Sequence, residues 1–182
     1  MRTFLFVMYF VFFPAIAQSA EIQCVDENNV FKIRVQGVID TGDATRFRNC
    51  TRKLNSQKRS FSFVSITSKG GLVSEAMQIG REIRKSKLSI LVPIEGECLS
   101  SCVFIFAGGI DRTPAGTIGI HRPYFLKPPK ESYDATLKAM LKDAEAYFYE
   151  MNIPERLAQD MFSVSPEQMR ILDREEIGRA HV

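Results

Sequence analysis

Hydrophobic and polar positions alternate from Val30, with Phe31, Ile33 and Val35 on one side and Lys32 and Arg34 on the other. This period of two predicts a strand with one buried face, running from Val30 to Asp40 with a bend at Gly37. From Asp43 to Leu54 the period changes. Phe47, Cys50 and Leu54 fall at helical spacing, which predicts an amphipathic helix with a basic outer face. Phe61 to Thr67 alternates again and ends in Ser68-Lys69-Gly70-Gly71, a tight turn. Val73, Ala76, Met77, Gly80 and Ile83 then return to the helical period, and Leu88 to Ile94 reads as another strand.

The stretch from Gly96 to His121 differs from its surroundings. A polar turn holds Ser100 and Ser101 between Cys98 and Cys102, and an apolar run from Val103 to Ala107 meets Gly108 and Gly109. A short strand, Thr117 to Ile120, delivers His121. The Pro-rich connection that follows is expected to lie over this region. A long helix then carries Tyr133, Leu137, Met140, Leu141, Ala144, Tyr147, Phe148 and Met151 as its apolar stripe. Pro154 suits the first turn of a short helix with Leu157, Met161 and Phe162 inward, and Ser165-Pro166-Glu167-Gln168 reads as a capping-box start for another. Strand and helix in alternation predict an α/β fold with mostly parallel pairing.

Composition narrows the class. The chain has 182 residues, 45% hydrophobic and 25% charged, so one globular domain is expected. A formal charge of +3 from 24 basic and 21 acidic residues, dispersed along the chain, gives no reason to expect nucleic acid as a partner. Residues 1–17 read as a secretory signal peptide. Arg2 is the basic region, Thr3 to Phe13 the apolar region, and Ala15-Ile16-Ala17 the cleavage pattern. The apolar run is shorter than the ~20 residues of a spanning helix. The expectation is therefore an exported protein, periplasmic or secreted, with no stable membrane anchor after cleavage and a domain over residues 18–175. The last seven residues, EIGRAHV, resemble a translated sequencing adapter. Residues 176–182 are expected to be a non-native tail, and His181 is given no role.

The cysteines remaining after cleavage are Cys24, Cys50, Cys98 and Cys102. An even count in an exported chain favours disulfides. Four cysteines allow three pairings. Cys24 with Cys50 would tie the N-terminal strand to the first helix, and Cys98 with Cys102 would clamp the serine turn. Metal is not expected, because C-x3-C is an unusual zinc spacing and His121 would be the one imidazole available. No cofactor is expected either.

The chemistry concentrates at Ser100. A serine hydroxyl opening a buried helix lies near backbone N–H groups that no helical carbonyl takes. Most serines in that position simply cap the helix. Here a histidine at the end of a neighbouring strand is a candidate base. Gly70 and Gly71, following another strand, let backbone N–H groups approach a substrate carbonyl with no Cβ in the way.

These same segments carry a family resemblance. ITSKGGLVSEAMQIGREI resembles the glycine turn and following helix of the Clp protease proteolytic subunit, with Lys69 where that family has proline. GECLSSCVFIFAGG resembles its nucleophile turn, with Ser100 four residues after Gly96 and Gly109 nine after Ser100. GIHRP resembles the segment carrying its catalytic histidine. The match spans roughly Val30 to Met169 and is closest to exported Clp-protease-like proteins of bacteria, in which the serine stands in a C-x-S-x-C frame. The resemblance implies an α/β Clp protease/crotonase-like fold of stacked ββα units, with a mostly parallel sheet flanked by helices. It implies Ser100 as nucleophile, His121 as general base, and the N–H groups of Gly71 and Ser101 as oxyanion hole. The family's third triad member is an aspartate just before the penultimate helix, and Asp160 is nearest to that place.

The expected function is an exported, ATP-independent serine peptidase acting on a peptide or protein substrate, with a homo-oligomer as one expected state. One alternative is an inactive binding or assembly module of the same fold. Another is a serine–lysine peptidase resembling signal-peptide peptidases, with Lys138 or Lys142 of the long helix as base. The crotonase relatives bind acyl-coenzyme A, a cytosolic cofactor that does not suit an exported protein.

Overall fold

A computed structural model describes residues 19–27, 30–56, 61–125 and 132–179. The expected signal peptide, the middle of the Pro-rich connection and His181 lie outside the described residues. Strand β1 (Glu21–Glu27) pairs antiparallel with β2 (Val30–Gln36). Helix α1 (Asp43–Asn55) leads to β3 (Phe61–Thr67), which lies parallel beside β2. Helix α2 (Val73–Lys85) leads to β4 (Ser89–Val92), parallel to β3. The chain then leaves this sheet for β5 (Glu97–Leu99) and α3 (Cys102–Ala107), and returns with β6 (Arg112–Pro114) parallel to β4. The first sheet therefore runs β1-β2-β3-β4-β6.

A second sheet completes the architecture. Strand β7 (Thr117–Ile120) lies parallel to β5, and β8 (Arg170–Ile171) lies antiparallel to β7. Between β7 and β8 come α4 (Tyr133–Glu150) and α5 (Arg156–Ser163), and α6 (Arg174–Arg179) closes the described chain. A bridge between Ser68 and Cys98 joins the two sheets at the end of β3. The expected mostly parallel α/β arrangement is present.

The core follows from the periods in the sequence. Ile33 and Val35 of β2, Val64 and Ile66 of β3, and Ile90 and Val92 of β4 are buried, together with Phe47 of α1 and Ile79 and Ile83 of α2. Helix α3 is buried along its whole length. Two glycines let it come close to α2: a Cβ on Gly108 would stand 2.6 Å from the Gly80 Cα, and one on Gly80 would collide with the Tyr147 hydroxyl. Phe104 stacks on Phe148 at 5.1 Å, and the Tyr147 hydroxyl donates to the Phe104 carbonyl at 2.6 Å. Burial pushes the Tyr147 hydroxyl pKa up, so it stays a donor. Arg112 donates to the carbonyls of Ala107 (2.8 Å) and Met151 (2.7 Å), and Arg84 donates to the same two.

Both expected disulfides are formed. Cys24–Cys50 joins β1 to α1 with Cα atoms 5.5 Å apart, and Cys98–Cys102 joins β5 to α3 with Cα atoms 5.1 Å apart. Two disulfides fit an oxidising compartment. No helix among the described residues is long and apolar enough to cross a membrane.

The expected helix at Ser165 is not formed. The Ser165 hydroxyl bonds the Glu167 carboxylate rather than a backbone N–H, and Gln168 N–H closes a turn on the Ser165 carbonyl at 3.0 Å. The chain then extends as β8, whose backbone is taken by β7. A capping sequence starts a helix only if the following residues are not claimed by a neighbouring strand.

Candidate active site

Three chain segments meet at Ser100. Beyond β3, Ser68 N–H donates to the Glu97 carbonyl at 2.7 Å, and Leu99 N–H donates back to the Ser68 carbonyl at 2.9 Å. The glycine turn is thereby held against β5. Beyond β5, Ser100 N–H donates to the Gly119 carbonyl of β7 at 2.9 Å. Ser100 itself has φ +56°, a left-handed conformation unusual for a residue with a side chain. Strain of this kind collects at functional positions.

The glycines are required by close approach. Gly70 has φ +98°, and a Cβ there would stand 2.8 Å from the Ser100 Cβ and 3.0 Å from the Ser101 nitrogen. Gly71 has φ +145°, and a Cβ there would collide with the Ile39 backbone. Ile39 N–H donates to the Gly70 carbonyl at 2.8 Å, and the Ile39 carbonyl accepts from Leu72 at 2.9 Å. That ladder does not use the Gly71 N–H. In the next turn, Val103 and Phe104 donate to the carbonyls of Ser100 and Ser101, both at 3.1 Å. The Ser101 N–H precedes the first of these bonds, as expected at a helix start. The Ser101 hydroxyl is buried with no hydrogen-bond partner.

His121 follows β7 directly. Leu99 pairs with Gly119 in the parallel register of β5 and β7, so the serine turn and His121 leave the sheet at the same end of adjacent strands. The His121 ring is 6% exposed and lies against Tyr124, centroids 6.3 Å apart and planes 24° from parallel. Its Nδ1 is buried without a hydrogen-bond partner. Burial holds the imidazole pKa below its ordinary value because the charged form loses water, with a backbone hydrogen bond at Arg122 working the other way.

A hollow of about 370 Å³ opens beside Gly71, with Met77, Phe104, Met140 and Phe162 as apolar walls and Tyr124 and Asp143 as polar ones. The structure does not bring Asp160 to His121. Its carboxylate lies 3.9 Å from both Arg156 and Arg170 and lines a separate hollow with Leu157 and Leu172. Lys138 and Lys142 are exposed on α4, and no lysine lines the hollow beside Gly71 among the described residues. No group of three or more metal-ligating side chains occurs among the described residues. Sequence reasoning missed Tyr124 and Asp143. The one available signal for Asp143 was its place three residues after Met140, on the same helix face.

The architecture and this turn define an α/β protein of Clp protease/crotonase-like fold. No protein-family model and no curated protein sequence matches the chain. Among solved structures, the fold is similar to that of a serine-to-alanine variant of the 1510-N membrane-bound stomatin-specific protease. The TM-score is 0.65 at 15% identity, covering 87% of this chain and 79% of that one. A lysine-to-alanine variant of the same protease, in complex with a substrate peptide, gives a TM-score of 0.64 at 16% identity over 84% of this chain and 72% of that one. At such identities the likeness is one of fold.

Proposed function

We propose that this protein is an exported serine hydrolase, a peptidase that works without an ATP-driven unfolding partner. The observation that carries the reading is the convergence on one point of a strained serine, a glycine turn pressed against it and a buried histidine leaving the adjacent strand. The structural neighbours being proteases agrees with it. The two disulfides and the apolar N-terminal segment support export.

In this reading the Ser100 oxygen adds to the substrate carbonyl carbon while its proton passes to His121. With Nδ1 buried, Nε2 takes that proton. The charge on the carbonyl oxygen is held by the N–H groups of Gly71 and Ser101, donors worth roughly 3–4 kcal/mol each in acyl transfer. His121 returns the proton to the leaving amine as the C–N bond breaks, and water releases the acyl group by the reverse sequence. Asp160, engaged with two arginines, is given no part. A lysine base is disfavoured because Lys138 and Lys142 are exposed on α4 and neither lines the hollow beside Gly71.

Labelling with a fluorophosphonate probe tests the reading. The wild-type protein and Ser101→Ala are expected to label, and Ser100→Ala is not. Labelling lost in Ser101→Ala but kept in Ser100→Ala moves the nucleophile by one residue. Absence of labelling in the folded wild-type protein supports an inactive binding module instead.

A further inference from the structure

The hollow beside Gly71 carries a charge that its apolar walls do not explain. Asp143 lines it from α4, and among the described residues its carboxylate has no ion-pair or hydrogen-bond partner. The positions three and four residues away on the helix are Ala139, Met140, Ala146 and Tyr147, none of them a cation. Asp143 is the one acidic residue among those lining the hollow, and two other acids of α2 and α4 are engaged elsewhere. Glu75 accepts from Ala44 N–H at 2.8 Å, and Glu150 takes Arg81 at 2.9 Å. The end of the hollow next to Gly71 is formed by Leu72, Val73 and Ser74 at the start of α2, whereas Asp143 belongs to a different element.

We propose that this hollow selects peptide substrates with a lysine or arginine side chain at the residue whose carbonyl is attacked. The inference rests on the peptidase reading above. A carbonyl held at the Gly71 N–H places its own residue's side chain next to the nearest hollow. Met77, Phe104, Met140 and Phe162 suit a methylene stem, and the free Asp143 carboxylate suits a cationic head. A purely apolar side chain fills the walls but leaves the carboxylate without a partner. An acidic one meets a like charge. Asp143 is exposed, so water weakens the contact and the selection is moderate.

The test uses peptides identical except for arginine, lysine, leucine, phenylalanine or glutamate at the cleaved position. The wild-type protein is expected to show kcat/KM roughly tenfold higher for arginine and lysine than for leucine or phenylalanine, with glutamate lowest. Asp143→Asn is expected to remove most of that preference while fluorophosphonate labelling of Ser100 stays unchanged. Asp143→Lys is expected to raise glutamate above arginine. A wild-type preference for leucine or phenylalanine overturns the inference, as does an arginine preference that survives Asp143→Asn. Either result, with Ser100 still labelled, leaves the peptidase reading standing. Loss of labelling in the wild-type protein removes both.

Discussion

At the C-terminal end of α3, the Ala107 carbonyl accepts from Arg84 and Arg112, and the same two guanidinium groups close the end of α4 through Met151. Burial lowers the Arg112 pKa to about 10, still charged at neutral pH. At the N-terminal end, the Ser101 hydroxyl and the nearby His121 Nδ1 are buried with no partner. One six-residue helix thus has an end whose carbonyl is doubly satisfied and an end left open. Buried polar groups are normally paired, so unpaired ones call for an explanation. Two of the four such side-chain atoms among the described residues, Ser101 Oγ and His121 Nδ1, stand at the turn of the strained serine; the other two are Arg84 Nε and Arg122 Nε. The satisfied end anchors the helix, and in the proposed reading the open end carries the reacting serine.

The sharpest way to break this contrast is at the open end. His121→Ala is expected to lower turnover by at least ~100-fold, within the range of general-base contributions, with the melting temperature little changed. Steady-state kinetics on a cleaved peptide checks it. In the wild-type protein, burial lowers the imidazole pKa, so the neutral base persists below the ordinary value of 6.5. The acid limb of kcat/KM is therefore expected below pH 6.5. Below that pH the unfolded chain takes up the proton before the folded one, so stability also falls as pH drops through this range. An acid limb above pH 7 counts against His121 as the base.

The two disulfides separate stability from positioning. Removing Cys24–Cys50, with a sequence separation of 26, is expected to cost about 3.5 kcal/mol from loop entropy. Removing Cys98–Cys102, with a separation of 4, is expected to cost about 2 kcal/mol. Activity per folded molecule is expected to follow the opposite order, because the second bridge spans the Ser100 turn. Paired Cys→Ala variants, melted and assayed in parallel, compare the two. Equal activity in both variants means that the Ser100 turn holds its shape without the bridge.

At the satisfied end, Arg112→Ala is expected to cost about 1–3 kcal/mol of stability, since it removes charge-assisted hydrogen bonds while Arg84 still serves both carbonyls. Turnover of the folded fraction is expected to stay within about twofold. Denaturant melts read the first value and active-site titration the second. Lys138→Ala, Lys142→Ala and Asp160→Asn should each leave turnover within roughly twofold, the smallest effects of the set. A collapse in either lysine variant assigns the base to lysine. A collapse in Asp160→Asn returns that carboxylate to the site.

Much of the fold was legible in the chain because periods of two and of 3.6 residues mark which face of a strand or helix is buried. Phe31, Ile33 and Val35 declared β2, and Val73, Ala76, Met77, Gly80 and Ile83 declared α2. The glycine turn, the serine turn and His121 were also visible, since each needs a particular residue type at its position. What the sequence left open was decided by the tertiary structure. Strands β5, β6 and β8 span three, three and two residues. That is too short for a period to show, so the second sheet emerges only through pairing with β7 and the first sheet. Which cysteines join depended on which Cα atoms came within reach. Asp160 and Asp143 are both helical carboxylates in the sequence. Packing alone set one between two arginines and the other, without a partner among the described residues, in the hollow beside Gly71, because a charge's role follows from its neighbours in space and not along the chain.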